Sequence, residues 1–226
     1  MFLPTTTEGE VPIHILSPVQ QVILKTCLER GGSVSLSELK EEIEKVVKYR
    51  PVAALSQNSK ALEHRGYIYR TSERRRITIH VNPAYAEPLR KVLGLEAPKA
   101  LLSGYSLRDG GELELTFQET LKKLNAEGVS VGYVYCFTTP EASAKLKEKP
   151  FNEEKALPLD VYSKDPEKLR EEIMAVIDQL VLKYTVILDI TPLTKLFADV
   201  LAEASATYKL PRVFVTPEKL VWLRPL

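Results

Sequence analysis

The sequence predicts an α/β protein in two parts, a helical N-terminal half closed by a β-hairpin and a C-terminal half built on a parallel sheet with helices on both faces. Three observations predict it. Apolar residues recur at helical spacing in three stretches before Gly66. Two alternating stretches then flank a basic tip. Beyond residue 97, short apolar runs alternate with amphipathic ones, the pattern of strands joined by crossover helices.

In the first half, Ser17 is a good N-cap and Pro18 suits the first helical turn, while Val19, Val22, Ile23 and Cys27 keep the helical period until Gly31-Gly32. Ser35 opens a second helix, with Glu38 completing a capping box and Leu36, Leu39, Ile43, Val46 and Val47 as the inner face. A third helix starts at Arg50-Pro51, buries Ala54, Leu55 and Leu62, and ends at His64-Arg65-Gly66. Strands are expected at 67–70 and 76–81, joined by a loop over 71–75. A linker, Val81–Lys99, carries Pro83, Pro88 and Pro98 around a short helix at 85–93. The domain boundary is placed near Glu96, giving domains 1–96 and 97–226.

The second half reads as a strand at 99–105, a helix at 113–126, a strand at 129–137, a short helix at 141–147 and a charged loop to 157. A strand at 157–162 follows, then a long helix from Asp165-Pro166 to Leu182, a strand at 185–190, a helix from Lys195 to Tyr208, and short strands at 212–216 and 220–223. Such alternation predicts a Rossmann-like domain whose ligand sits beyond the carboxyl ends of the strands, where the strand order switches. The loops 103–109, 137–140 and 190–195 are expected to meet there.

Composition narrows the function. The 226 residues carry 31 basic and 30 acidic side chains, a net charge of +1, so nucleic-acid affinity cannot come from bulk charge. Residues 1–96 are net +3 and residues 97–226 net −2. No apolar run approaches the roughly 20 residues of a membrane span, and the first ten residues lack an export pattern. The expectation is a cytoplasmic protein without a membrane partner. Cys27 and Cys136 read as reduced core residues. Five glutamines and four asparagines beside 15 prolines lean toward a thermophile. There is no GxGxxG, Walker lysine, HExxH, CxxC or GxSxG motif, so no cofactor or metal is expected.

One segment is strongly basic. Lys48–Arg76 holds eight bases and two acids, Glu63 and Glu73. Its polar helix followed by "LEHRGYI" and a hairpin tipped with Arg74-Arg75-Arg76 resembles the winged helix-turn-helix family over roughly residues 15–82. That resemblance implies a recognition helix in the major groove of double-stranded DNA and a wing against the backbone. The expected DNA contacts are Arg50, Ser56, Gln57, Asn58, Lys60, Arg74, Arg75 and Arg76. Glutamine and asparagine can pair with adenine, and arginines at a tip can reach phosphates.

The run "VILDITPLTKLFADVLAEASATYKLPRVFVT", Val186–Thr216, together with Ser103-Gly104-Tyr105-Ser106, resembles the CRISPR-associated Rossmann fold (CARF) family over roughly residues 99–216. The resemblance implies a homodimer that binds a cyclic oligoadenylate, most plausibly the four-adenylate ring, on its two-fold axis. The ligand contacts it implies are Ser103, Gly104, Tyr105, Ser106, Arg108, Thr138, Thr139, Thr191, Leu193, Thr194 and Lys195. The family usually has two glycines where this chain has Pro192-Leu193, and proline has no amide to offer a phosphate.

The function expected from the two resemblances is a cyclic-oligoadenylate-responsive transcriptional regulator of a CRISPR system. One alternative is a metal-independent ring nuclease, with Lys195 stabilising charge on the phosphate and Ser106 or Thr194 positioning the ribose. Another is a winged-helix scaffold that binds protein.

Overall fold

The computed structural model describes residues 16–74 and 76–224. The chain divides into two compact units, Met1–Ala97 and Pro98–Leu226.

In the first unit, α1 (Pro18–Glu29) begins with Ser17 and Gln20 capping each other reciprocally, and Pro18 stands at its first position. α2 (Leu36–Val46) opens on the Ser35–Glu38 capping box. Two orphan donors are thus satisfied at each start. A short strand, β1 (Ser33–Ser35), lies between them; three residues are too few for alternation to show in the sequence. α3 (Pro51–His64) follows a turn in which Arg50 takes the left-handed conformation. β2 (Ile68–Glu73) and β3 (Arg76–Val81) form the hairpin, and β1 pairs on the other side of β3, giving an antiparallel sheet of order β1-β3-β2. α4 (Ala86–Leu93) packs against α1. Ile23, Leu24, Cys27, Leu39, Ile43, Leu55, Leu62 and Ile79 are fully or almost fully buried in the core. Burial pushes the Cys27 thiol up to about 12.

Two expectations change here. Val46 is 49% exposed rather than part of the inner face of α2. The hairpin strands also run further than the alternation suggests. Glu73 pairs with Arg76, so the strands pair through positions where a five-residue loop was expected.

The second unit is an α/β layer structure compatible with a Rossmann-like fold. Its six main strands are β4 (Lys99–Gly104), β7 (Tyr133–Thr138), β8 (Glu153–Ala156), β9 (Thr185–Asp189), β10 (Arg212–Val215) and β11 (Leu220–Arg224). They lie in the order β11-β10-β9-β4-β7-β8, parallel except for β11. The chain fills the sheet from β4 outward to β8, then restarts on the other side of β4 with β9. The order therefore reverses between β4 and β9, which is the switch point. α5 (Thr116–Ala126) covers one face, where Phe117 and Leu124 meet Leu101, Val134, Cys136 and Ile187. On the other, α8 (Pro166–Leu180) and α9 (Lys195–Tyr208) pack together and against β9, and Phe197 lies 5.6 Å from Phe137 between ring centres.

Three element boundaries differ from expectation. The strand expected at 157–162 is a helix, α7 (Leu159–Lys164), and the true strand β8 lies in the expected loop. β8 has the sequence Glu-Glu-Lys-Ala on a sheet edge, where charge serves solvation and hides the strand pattern. Leu157, Val161 and Tyr162 are buried at helical spacing instead. The helix expected from Leu113 starts at Thr116, because Leu113–Glu114 (β6) pairs with Ser106–Leu107 (β5) across the Gly110-Gly111 turn. The strand expected from Val129 starts at Tyr133; Val129 and Val131 pack on the core from a loop.

Candidate functional site

The carboxyl ends of β4, β7 and β9 converge, as the topology requires. The Tyr105 amide donates to the Phe137 carbonyl at 3.1 Å, and the Thr138 hydroxyl donates to the Tyr105 carbonyl at 2.9 Å. The Tyr162 hydroxyl donates to the Thr138 carbonyl, and the Thr194 hydroxyl to the Tyr162 carbonyl. The three polar loops expected to meet do so, joined through Tyr162 of α7.

At the switch point stands Asp189, which has no solvent exposure. Its Oδ2 accepts from the Ser103 hydroxyl at 2.8 Å and the Thr120 hydroxyl at 2.6 Å, and its Oδ1 accepts from the Thr191 amide at 2.9 Å. Burial pushes this carboxyl above the usual aspartate range, against the lowering effect of these donors. β4, β9 and α5 are thereby tied by one carboxylate. Asp189 lies within the run Val186–Thr216 but is not among the expected ligand contacts. An acid at the end of an otherwise apolar strand was the available signal.

Leu193 closes the space above β4. It holds the left-handed conformation, φ 66°, and its side chain lies against Gly104. A Cβ at Gly104 would stand 2.9 Å from Leu193 Cδ1 and 2.9 Å from the Phe137 carbonyl oxygen.

Several expected ligand contacts are therefore internal ties. Ser103 serves Asp189, Gly104 lies beneath Leu193, and the fully buried Tyr105 donates its hydroxyl to Glu154 at 2.6 Å. Thr138 bonds Tyr105, Thr139 caps α6 (Pro140–Lys145), and the Thr191 hydroxyl accepts from the Val215 amide at 2.8 Å. Thr194 caps α9 and bonds Tyr162. These ties have one physical reason: strand ends that converge leave buried polar backbone, and nearby hydroxyls satisfy it. Arg108 is exposed and paired with Glu114 at 2.7 Å. Ser106 and Leu193 stay partly exposed. Lys195 is exposed at the amino end of α9 and has no hydrogen-bond or ion-pair partner among the described residues. The helix-start amides at 195 and 196 have no intrahelical acceptor, so this end attracts anions.

A separate pocket of about 130 Å³ opens at the amino end of β7, lined by Tyr133, Tyr135, Glu153, Gln179, Lys183 and Tyr184. The Tyr133 and Tyr184 rings stack with centres 4.8 Å apart.

In the first unit, Lys48, Arg50, Lys60, Arg65, Arg74 and Arg76 are exposed. Of the two acids in this stretch, Glu63 is held by Arg70. Arg75 lies outside the described residues. α3 exposes Val52, Ala53, Ser56, Gln57 and Lys60 and buries Leu55, Ser59 and Leu62. Asn58 needs correction: its Oδ1 accepts from the Ser17 hydroxyl at 2.8 Å and its Nδ2 donates to the Ala54 carbonyl at 2.8 Å. It joins α3 to the start of α1 instead of facing outward.

Among the described residues, no group of three or more His, Cys, Asp or Glu side chains could hold a metal ion, and no helix is long and apolar enough to cross a membrane. No protein-family model matches the chain, and no curated protein matches it.

Proposed function

We propose that the protein is a DNA-binding regulator answering to a cyclic oligoadenylate. The first unit would act as a winged helix-turn-helix and the second as a CARF-type sensor that binds the ring between two copies of the chain. The observation that carries this reading is the cationic surface of α3 and its hairpin. Six exposed bases lie on the segment that holds α3 and its hairpin, in a chain of net charge +1, and a local concentration of this kind is what duplex binding needs. The short connection between α2 and α3 and the tight hairpin that follows, with Arg74 exposed beyond the Glu73–Arg76 pair, suit a helix in the groove and a wing on phosphates.

For the ligand, support comes from Lys195 and the amino end of α9 beside the switch point. Pro192 offers no amide and Leu193 fills the space over Gly104. Phosphate capture therefore rests on the Lys195 ammonium and the amides at 195 and 196, without a glycine cradle. Two copies joined about a two-fold axis would present these groups in duplicate to a ring of matching symmetry.

Calorimetric titration of the full chain with cyclic tri-, tetra- and hexa-adenylate tests the reading. One ring per two chains is expected, with binding lost in Lys195→Ala. Absence of heat with every ring overturns the ligand assignment. Linear product formed in the presence of chelator makes the protein a ring nuclease instead of a switch.

A further inference from the structure

We propose that α3 selects A·T-rich duplex through thymine methyl groups, with Val52 and Ala53 as the apolar contacts and Gln57 reading adenine. The inference rests on the DNA-binding reading above and adds its base preference.

Val52, Ser56 and Lys60 are four residues apart, as are Ala53 and Gln57, so the exposed residues form one continuous strip along α3. Its first turn is apolar: Val52 is 57% exposed and Ala53 is exposed beside it. Neither supports the core, which takes Leu55, Ser59 and Leu62 from the opposite side. Val46 and Tyr49, 49% and 76% exposed, stand shortly before α3 in the chain.

Charge identifies the occupant. Lys48, Arg50, Lys60 and Arg65 are exposed on the same stretch, and Arg50 lies over the Tyr49 ring at 5.2 Å. Exposed apolar residues interspersed with cations along one segment fit a polyanion that presents apolar groups of its own. In the major groove the thymine C5 methyl is that group, and recognition helices reach base edges with their N-terminal residues.

The polar part of the strip narrows the readout further. Asn58 is committed to Ser17 and Ala54. Gln57 has no hydrogen-bond partner among the described residues, so its carboxamide keeps both donor and acceptor for adenine.

The test uses the full chain and three duplexes of equal length: one A·T-rich, the same with deoxyuridine replacing every thymine, and one G·C-rich. Affinity is read by fluorescence anisotropy at several salt concentrations. Deoxyuridine removes only the methyl groups and leaves every phosphate in place. The A·T-rich duplex is expected to bind most tightly, and thymine-to-uracil replacement to weaken binding about fourfold per buried methyl. In Val52→Ser, an exposed change compatible with folding, that methyl sensitivity should fall while the salt dependence stays. Salt-dependent binding that is equal for thymine and uracil duplexes overturns this inference and leaves DNA binding intact. Methyl sensitivity undiminished in Val52→Ser overturns the assignment of Val52. No salt-dependent binding to any duplex overturns both readings.

Discussion

Replacing Gly104 by alanine tests whether the switch point is sealed from within. Gly104 does not have a positive φ, so alanine meets no backbone strain there and would by itself stabilise by about 0.4–1 kcal/mol through the unfolded state. Against this stands overpacking. The new Cβ would lie 2.9 Å from Leu193 Cδ1, 3.2 Å from Leu193 Cγ and 2.9 Å from the Phe137 carbonyl oxygen. The leucine tip can yield a little, but the carbonyl belongs to β7 and accepts the Tyr105 amide, so it cannot. Overpacking of this kind costs about 1–3 kcal/mol, which leaves a net loss of about 1–2 kcal/mol. In a Leu193→Ala background two of the three short contacts vanish and the penalty of Gly104→Ala should fall by about 1 kcal/mol. Urea denaturation followed by tryptophan fluorescence suits the measurement. The single tryptophan, Trp222, sits on β11 of the same sheet and donates to Glu127 at 2.7 Å. With a slope of about 2 kcal/mol per molar urea, the midpoint should drop by about 0.5–1 M. A Gly104→Ala protein as stable as the parent, or one whose penalty is the same with and without Leu193, refutes the seal.

Two further substitutions probe the charged groups. Asp189 has a folded pKa raised by burial, so the folded chain holds its proton more tightly than the unfolded one. Its contribution is fully present below the ordinary value of 3.8 and is lost as pH rises through the raised folded value. Asp189→Asn removes this dependence, so the stability of the parent relative to the variant should increase on acidification in urea melts at stepped pH; a difference constant with pH contradicts the raised value. Arg74→Gly removes one cation and the cost of φ 43° at the hairpin tip. Stability should change by less than about 1 kcal/mol, since relief of strain offsets added chain entropy. The slope of log affinity against log salt for duplex DNA should become shallower by about 0.9, and an unchanged slope removes Arg74 from the phosphate contacts.

What could be read in the sequence follows from where its signals originate. The helices announce themselves through local chemistry: Ser17, Ser35 and Asp165 each accept from a backbone amide at the start of the helix they were expected to open. Strands buried on both faces, such as 99–104 and 185–189, show as apolar runs because most of their residues are buried among apolar neighbours, with Ser103 and Asp189 as the paired exceptions. β8 was hidden because an edge strand needs no such neighbours, and the ion pair of its Lys155 with Glu172 serves it better than burial. The candidate site was legible only as a set of loops. Position along the chain told which loops would meet. It could not tell which hydroxyls would face inward, since that depends on partners 32 to 86 residues away, such as Tyr162 for Thr194 and Asp189 for Ser103. Asn58 misled for the same reason: its partner Ser17 is 41 residues distant.

Backbone strain adds an independent line of argument. Four non-glycine residues among those described have positive φ: Arg50, Arg74, Leu193 and Lys209. Lys209 ends α9, where the left-handed conformation is the common way to close a helix. The other three stand at the turn before α3, at the hairpin tip and over Gly104, all in the candidate surfaces. Each costs about 1–2 kcal/mol relative to an unstrained conformation, and glycine would meet the backbone requirement more easily. The side chains explain what glycine would lack. Arg50 and Arg74 carry cations outward from turns, which a surface built to meet phosphates can use. Leu193 carries an apolar side chain inward against Gly104 at the switch point. Strain held at sites of this kind is the mark of surfaces shaped for something other than stability. Here it falls on both proposed contact surfaces.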